Sequence, residues 1–162
     1  ALVAEIRRNH SDLDFQAVEI EELANRQVVQ DLLTLTNALH QRADRVHWLA
    51  ILRAPWCGLS LKDLHQLVGG DQYSTVLHLM HDEARLQSLS DDGRMRLLHL
   101  RAVMQEALDH RGRMSMSRWV HGVWVMLGGP ACLWDAGDVR DVQAFFDRID
   151  RMEANGQFST EQ

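Results

Sequence analysis

Lys62 is the only lysine in the chain, and it follows Ala54-Pro55-Trp56-Cys57-Gly58-Leu59-Ser60, where one apolar helical pattern stops and another starts within three residues. A helix restarting at a tight, glycine-assisted turn carries backbone N–H groups that no preceding carbonyl can take. With an ammonium in its first turn, such a helix start is chemistry suited to a phosphate. Gly58, Leu59, Ser60 and Lys62 are therefore the first candidate contact residues. The competing reading is a plain connector between two helices, for which Pro and Gly are ordinary components.

A second candidate is cationic. Arg94, Arg96, Arg101, Arg111, Arg113 and Arg118 outnumber Glu106 and Asp109 in one segment, a local surplus of four positive charges in a chain of formal charge −6. Arg94, Arg96, Arg111 and Arg113 are the members selected as a phosphate-facing strip along a helix and loop. The alternative is a solvated face that pairs with neighbouring acids. Trp119, Trp124 and Trp134 have the aromatic character needed to stack bases, but their spacing among Val and Met assigns them to the core.

Other chemistries are excluded or left unassigned. No GxxxxGK[ST] loop is present, and Lys62 has no glycine run before it, so the isolated chain is not expected to hydrolyse ATP. His78 and His81 share a helical face, but HxxH lacks the glutamate of a zinc-protease helix and has no marked third ligand. Neither a metal nor a catalytic residue is assigned. Glu19, Glu21 and Glu22 read as the solvated end of a strand.

The chain has 162 residues, 46% of them hydrophobic, which suffices for one domain with a real core. Seven Met and five Trp beside one Tyr and two Pro favour helices packed on helices. The acidic balance means that any nucleic-acid contact must come from a local patch. Cys57 and Cys132 lack metal spacing and read as buried thiols of a reducing, cytoplasmic compartment. The longest apolar stretch, Trp119 to Leu133, is broken by His121, Gly122 and Gly128-Gly129-Pro130, so no membrane association is expected.

These residues must be positioned by helices. Residues 2–9 read as a helix end, and 15–20 alternate like one short strand. A stripe of Val28, Val29, Leu32, Leu33, Leu35 and Leu39 predicts a helix over 27–40. Asp44 is placed as the cap of a second helix that Pro55 stops, and Ser60 as the cap of a third that ends at Gly69-Gly70. Shorter helices are predicted over 73–80 and 82–89, with a loop at Ser90–Gly93 and a long helix over 94–110. Ser115 or Ser117 starts a Trp-rich helix to Leu127, and Asp138 is placed as the cap of a last helix reaching Met152.

The order of these features resembles UvrD/Rep-type superfamily I DNA helicases, most of all the RecB- and AddA-like exonuclease helicases. The resemblance rests on Val29-Gln30-Asp31-Leu32-Leu33, Ala43-Asp44-Arg45-Val46-His47-Trp48-Leu49 and the Pro55-Trp56-Cys57-Gly58-Leu59-Ser60 turn. The stretch Trp119 to Pro130 and the last helix also look like exonuclease-type members. The resemblance implies a mainly all-α accessory 2B-type subdomain over 23–155, with a polar tail at 156–162. Residues 1–22 would be the remnant of an adjoining RecA-like motor domain, which makes the chain an expected excised piece of a larger helicase or helicase-nuclease. It further implies DNA, as duplex or fork, and the parent's motor domains as partners. ATP and Mg²⁺ would belong to the parent motor, with no cofactor in this chain. In relatives the turn contacts duplex backbone. Here Ser60 stands at the relatives' last glycine and Leu59 at their isoleucine, which leaves the helix start available. A helical protein-interaction module without a nucleic-acid role is the alternative.

Overall fold

The computed structural model describes residues 23 and 25–156. All of its regular structure is helical: α1 (Gln27–His40), α2 (Arg45–Arg53), α3 (Leu61–Val68), α4 (Val76–Leu79), α5 (Glu83–Ser88), α6 (Asp91–Asp109), α7 (Met116–Met126), a 3₁₀ turn (Gly129–Cys132) and α8 (Ala136–Ala154). The expected strand at 15–20 and the helix end at 2–9 lie outside the described residues, as does the tail from 157 onward.

Local chemistry explains most helix starts. Asp44, Ser60, Thr75, Asp82, Ser90, Ser115 and Asp135 each accept a backbone N–H of the first turn, satisfying a donor that the helix itself cannot. Among the described helices α1, at Arg26, and the 3₁₀ turn, at Gly128, start without a side-chain cap. Three boundaries correct the sequence reading. Ser90 is a cap, so 91–93 are helical rather than loop. Asp135, not Asp138, caps α8; Asp138 instead accepts the Trp134 amide at 2.9 Å while its own amide donates to Asp135 Oδ1 at 2.9 Å. This reciprocal arrangement moves the start of α8 forward. Of residues 73–80, only Val76–Leu79 form a helix, because the Asp71 carboxylate has already drawn the Tyr73 and Ser74 amides into a turn.

The long helices make the core. α1 packs against α2, α6, α7 and α8, so its Val29, Leu32, Leu35, Ala38 and Leu39 are fully enclosed. The shorter α3 packs against α4 and α5 to form a second layer. Two tryptophans in the core satisfy their indole N–H groups on carbonyls, Trp48 on Gln41 at 3.2 Å and Trp119 on Ala107 at 2.9 Å. Trp134, expected in the same core, is 93% exposed. The turn after the 3₁₀ segment carries it outward, a placement that helical spacing does not encode.

Candidate nucleic-acid interface

The turn between α2 and α3 is built by Gly58 in the left-handed region (φ +64°), which a side chain adopts only at a cost. Its amides are largely committed. Cys57 and Gly58 both donate to the Ala54 carbonyl, at 2.9 and 2.8 Å, and Leu59 donates to Leu52 at 2.9 Å. Leu59 is fully buried. The helix start is only partly taken: the Ser60 hydroxyl accepts the Asp63 amide at 3.1 Å and its carbonyl the Leu64 amide at 2.9 Å. Among the described residues, the Leu61 and Lys62 amides of this first turn are left over.

Cations surround the turn. Arg53 donates to the Leu59 carbonyl at 2.6 Å, and Arg96 reaches from α6 to the Cys57 carbonyl at 3.0 Å. Lys62 is exposed, with no hydrogen bond or ion pair among the described residues. Each guanidinium has five N–H donors, so Arg53 and Arg96 retain donors after clamping the turn. The structure therefore gathers Gly58, Leu59, Ser60, Lys62 and Arg96 in one place and adds Arg53, which the sequence reading missed. The signal for Arg53 was its place in the last turn of a helix that ends at a proline. Arg96 lies 39 residues from its carbonyl partner, and no local pattern marks that pairing.

A buried carboxylate shapes the same region. Asp63 accepts both the amide (2.8 Å) and the hydroxyl (2.6 Å) of Ser90, the cap of α6. One anion thus serves the N-terminal ends of α3 and α6 together. Burial opposes its ionisation, but the Ser90 hydroxyl and amide, the Ser60 hydroxyl and the nearby Lys62 outweigh it, and the carboxyl is held below its ordinary range. Gly93 is required here, since a Cβ would lie 2.2 Å from Asp63 Oδ2. Burial pushes the Cys57 thiol up to about 11, despite the Leu59 amide and Arg96, which makes it unreactive at neutral pH.

The remaining arginines do not form one strip. Arg94 pairs with Asp91 at 3.1 Å and Arg96 with Asp92 at 2.8 Å, at the first turn of α6. Arg111 and Arg113 follow the other end of that helix, about 27 Å away at the α-helical rise. Arg111 donates to the His40 carbonyl at 3.1 Å, and Arg101 to Met80 at 3.0 Å. The side chains of Arg113 and Arg118 make no hydrogen bond or ion pair among the described residues. Two of the four selected arginines, Arg96 and Arg111, hold backbone carbonyls, a structural duty that composition does not distinguish from phosphate binding. Among the described residues no group of three or more His, Cys, Asp or Glu is placed to hold a metal, and no helix is long and apolar enough to cross a membrane.

Among the described residues the fold is all-helical, with Arg53, Lys62 and Arg96 beside the turn between α2 and α3. Compared with protein-family models, with curated proteins and with solved structures, the chain matches none.

Proposed function

We propose that the chain is a DNA-contacting accessory subdomain of an ATP-driven helicase or helicase-nuclease, meeting the sugar-phosphate backbone at the turn between α2 and α3. The observation that carries this reading is the grouping of Arg53, Lys62 and Arg96 around Gly58, with the Leu61 and Lys62 amides unused beside them. The cations, rather than the turn amides, supply the attraction, because Cys57, Gly58 and Leu59 spend their N–H groups on carbonyls. Asp63, Asp91 and Asp92 nearby keep the binding weak, which suits a module that meets DNA as part of a larger motor.

A forked duplex titrated at several salt concentrations tests the reading. Lys62→Glu should weaken binding uniformly across sequences and lower the salt slope by about one for each phosphate that is no longer neutralised. A folded Lys62→Glu protein with unchanged affinity and slope would remove DNA binding from the turn. Arg113→Glu reports separately on the far end of α6.

A second reading, a protein-interaction module, is favoured by one feature. Exposed Met114 and Met126 edge a groove of about 250 Å³ between α6 and α7, with Trp119 and Val123 in its lining. Methionine-lined grooves accommodate apolar partners of varied shape. Salt-insensitive behaviour in the fork titration, with loss of partner capture on Met126→Glu, would favour it.

A further inference from the structure

A second, smaller pocket of about 150 Å³ lies where the start of α1, Pro55 and Trp56 of the α2–α3 turn, and the 3₁₀ turn meet. Its lining includes Trp56, Trp124 and Trp134, together with the carboxyl-bearing Asp31 and Asp138, and neither lysine nor arginine. Trp134 stands 93% exposed at the edge of this site. The Trp56 indole N–H is buried and has no hydrogen-bond partner among the described residues, so packing alone holds that ring. Trp124 is fixed from behind, where Gly129 approaches it so closely that a Cβ would lie 1.9 Å from Nε1.

Among the described residues neither Asp31 nor Asp138 has an ion-pair partner. Asp31 Oδ1 accepts the Gln27 amide at 3.0 Å, and Oδ2 takes no hydrogen bond among the described residues. Asp138 uses Oδ2 on the Trp134 amide, which ties the aromatic residue to the acidic one. Indole faces attract a cation without needing its N–H donors, and the two carboxylates add favourable charge to whatever cation sits there. The volume is below the roughly 300 Å³ of pockets that enclose a whole drug-sized molecule, so it suits one headgroup.

We propose that this pocket binds an alkylammonium headgroup, quaternary or methylated, between Trp56 and Trp134 and beside Asp31. Burial raises the Asp31 carboxyl above its ordinary range despite the Gln27 hydrogen bond, and a bound cation would relieve that penalty. The cations of the DNA-binding reading, Arg53, Lys62 and Arg96, do not line the pocket, although Pro55 and Trp56 belong to the same α2–α3 turn.

Choline, a peptide carrying trimethyl-lysine, and the uncharged tert-butyl isostere of choline form the test set. The readouts are indole N–H chemical shifts and tryptophan fluorescence, with sodium chloride as the ionic-strength control. Saturable shifts of the Trp56 and Trp134 signals are expected with the cations and not with the isostere. Tighter binding of the peptide identifies a protein-borne cation as the source, and equal or tighter choline binding a free metabolite. Trp134→Ala and Asp31→Asn should each weaken binding roughly 3- to 30-fold, and the first removes an exposed side chain that the fold does not need. Equal binding of the isostere, no saturable shift with either cation, or unchanged affinity in folded Trp134→Ala would overturn the proposal.

Discussion

Single atoms decide two of this protein's glycines in opposite directions. A methyl at Gly93 would meet Asp63 Oδ2 at 2.2 Å, and that oxygen is held by the Ser90 hydroxyl. Gly93→Ala should therefore destabilise the protein by about 1–3 kcal/mol in urea denaturation. Gly122, inside α7, meets nothing within 4 Å, so Gly122→Ala should stabilise by about 0.5–1 kcal/mol through helix propensity. Equal effects of the two changes would contradict the geometry. Asp31 gives a pH test. Its folded pKa is raised, so ionisation opposes folding; the Asp31 contribution to stability is greatest below its unfolded value near 4 and is lost as pH rises through the folded value. Asp31→Asn should be more stable than wild type at neutral pH and lose that advantage in acid. A melting-temperature series across pH 3–7 checks the sign.

Between helices, arginines tie the loops. Arg45, in the first turn of α2, donates to Ser74, Asp71 and Val68 carbonyls at 2.8, 2.6 and 3.4 Å, and Arg85 donates to Leu67 and Gly69 at 2.8 and 2.9 Å. The planar guanidinium reaches several carbonyls at once, which an ammonium does not. Arg45→Ala should cost about 1–3 kcal/mol, and Arg45→Lys should recover only part of it, with faster amide exchange over 68–74 as the local signature. The same loop has an acid limit. The Ser74 amide and hydroxyl, with the Tyr73 amide, hold the Asp71 carboxyl down to about 2. The support it gives is complete above its unfolded pKa near 4 and lost as pH falls towards about 2, so Asp71→Asn should flatten the stability curve there.

At the scale of the whole molecule, α1 is the organising element because α2, α6, α7 and α8 all pack on it. Truncating a fully enclosed side chain of α1 leaves a cavity that no single neighbour can fill. Leu32→Ala and Leu35→Ala should each destabilise by about 2–5 kcal/mol, with helical circular dichroism and tryptophan fluorescence lost in one transition. Met95→Ala, at a residue 71% exposed on α6, should change stability by less than about 0.5 kcal/mol. Separate transitions for the two probes would show that the α3–α5 layer folds independently of the core.

The sequence by itself determined what depends on neighbours along the chain. Helical periodicity placed α1 at 27–40, and the side-chain oxygens of Asp44 and Ser60 marked the starts of α2 and α3, because period and cap chemistry act within one turn. The Gly58 turn was visible for the same reason. Where two caps competed within a few residues, as at Asp135 and Asp138, only the folded chain chose between them. The tertiary structure alone decided which charges were free. Arg96 and Arg111 resemble Arg113 in sequence, yet the first two spend donors on carbonyls 39 and 71 positions away. Trp134 looked like core at helical spacing and stands in solvent, while Asp31 of α1 and Trp56 of the turn after α2 come together at one pocket. Packing sets these pairings, since a side chain's partner depends on where distant segments cross and leaves no mark in the residues beside it.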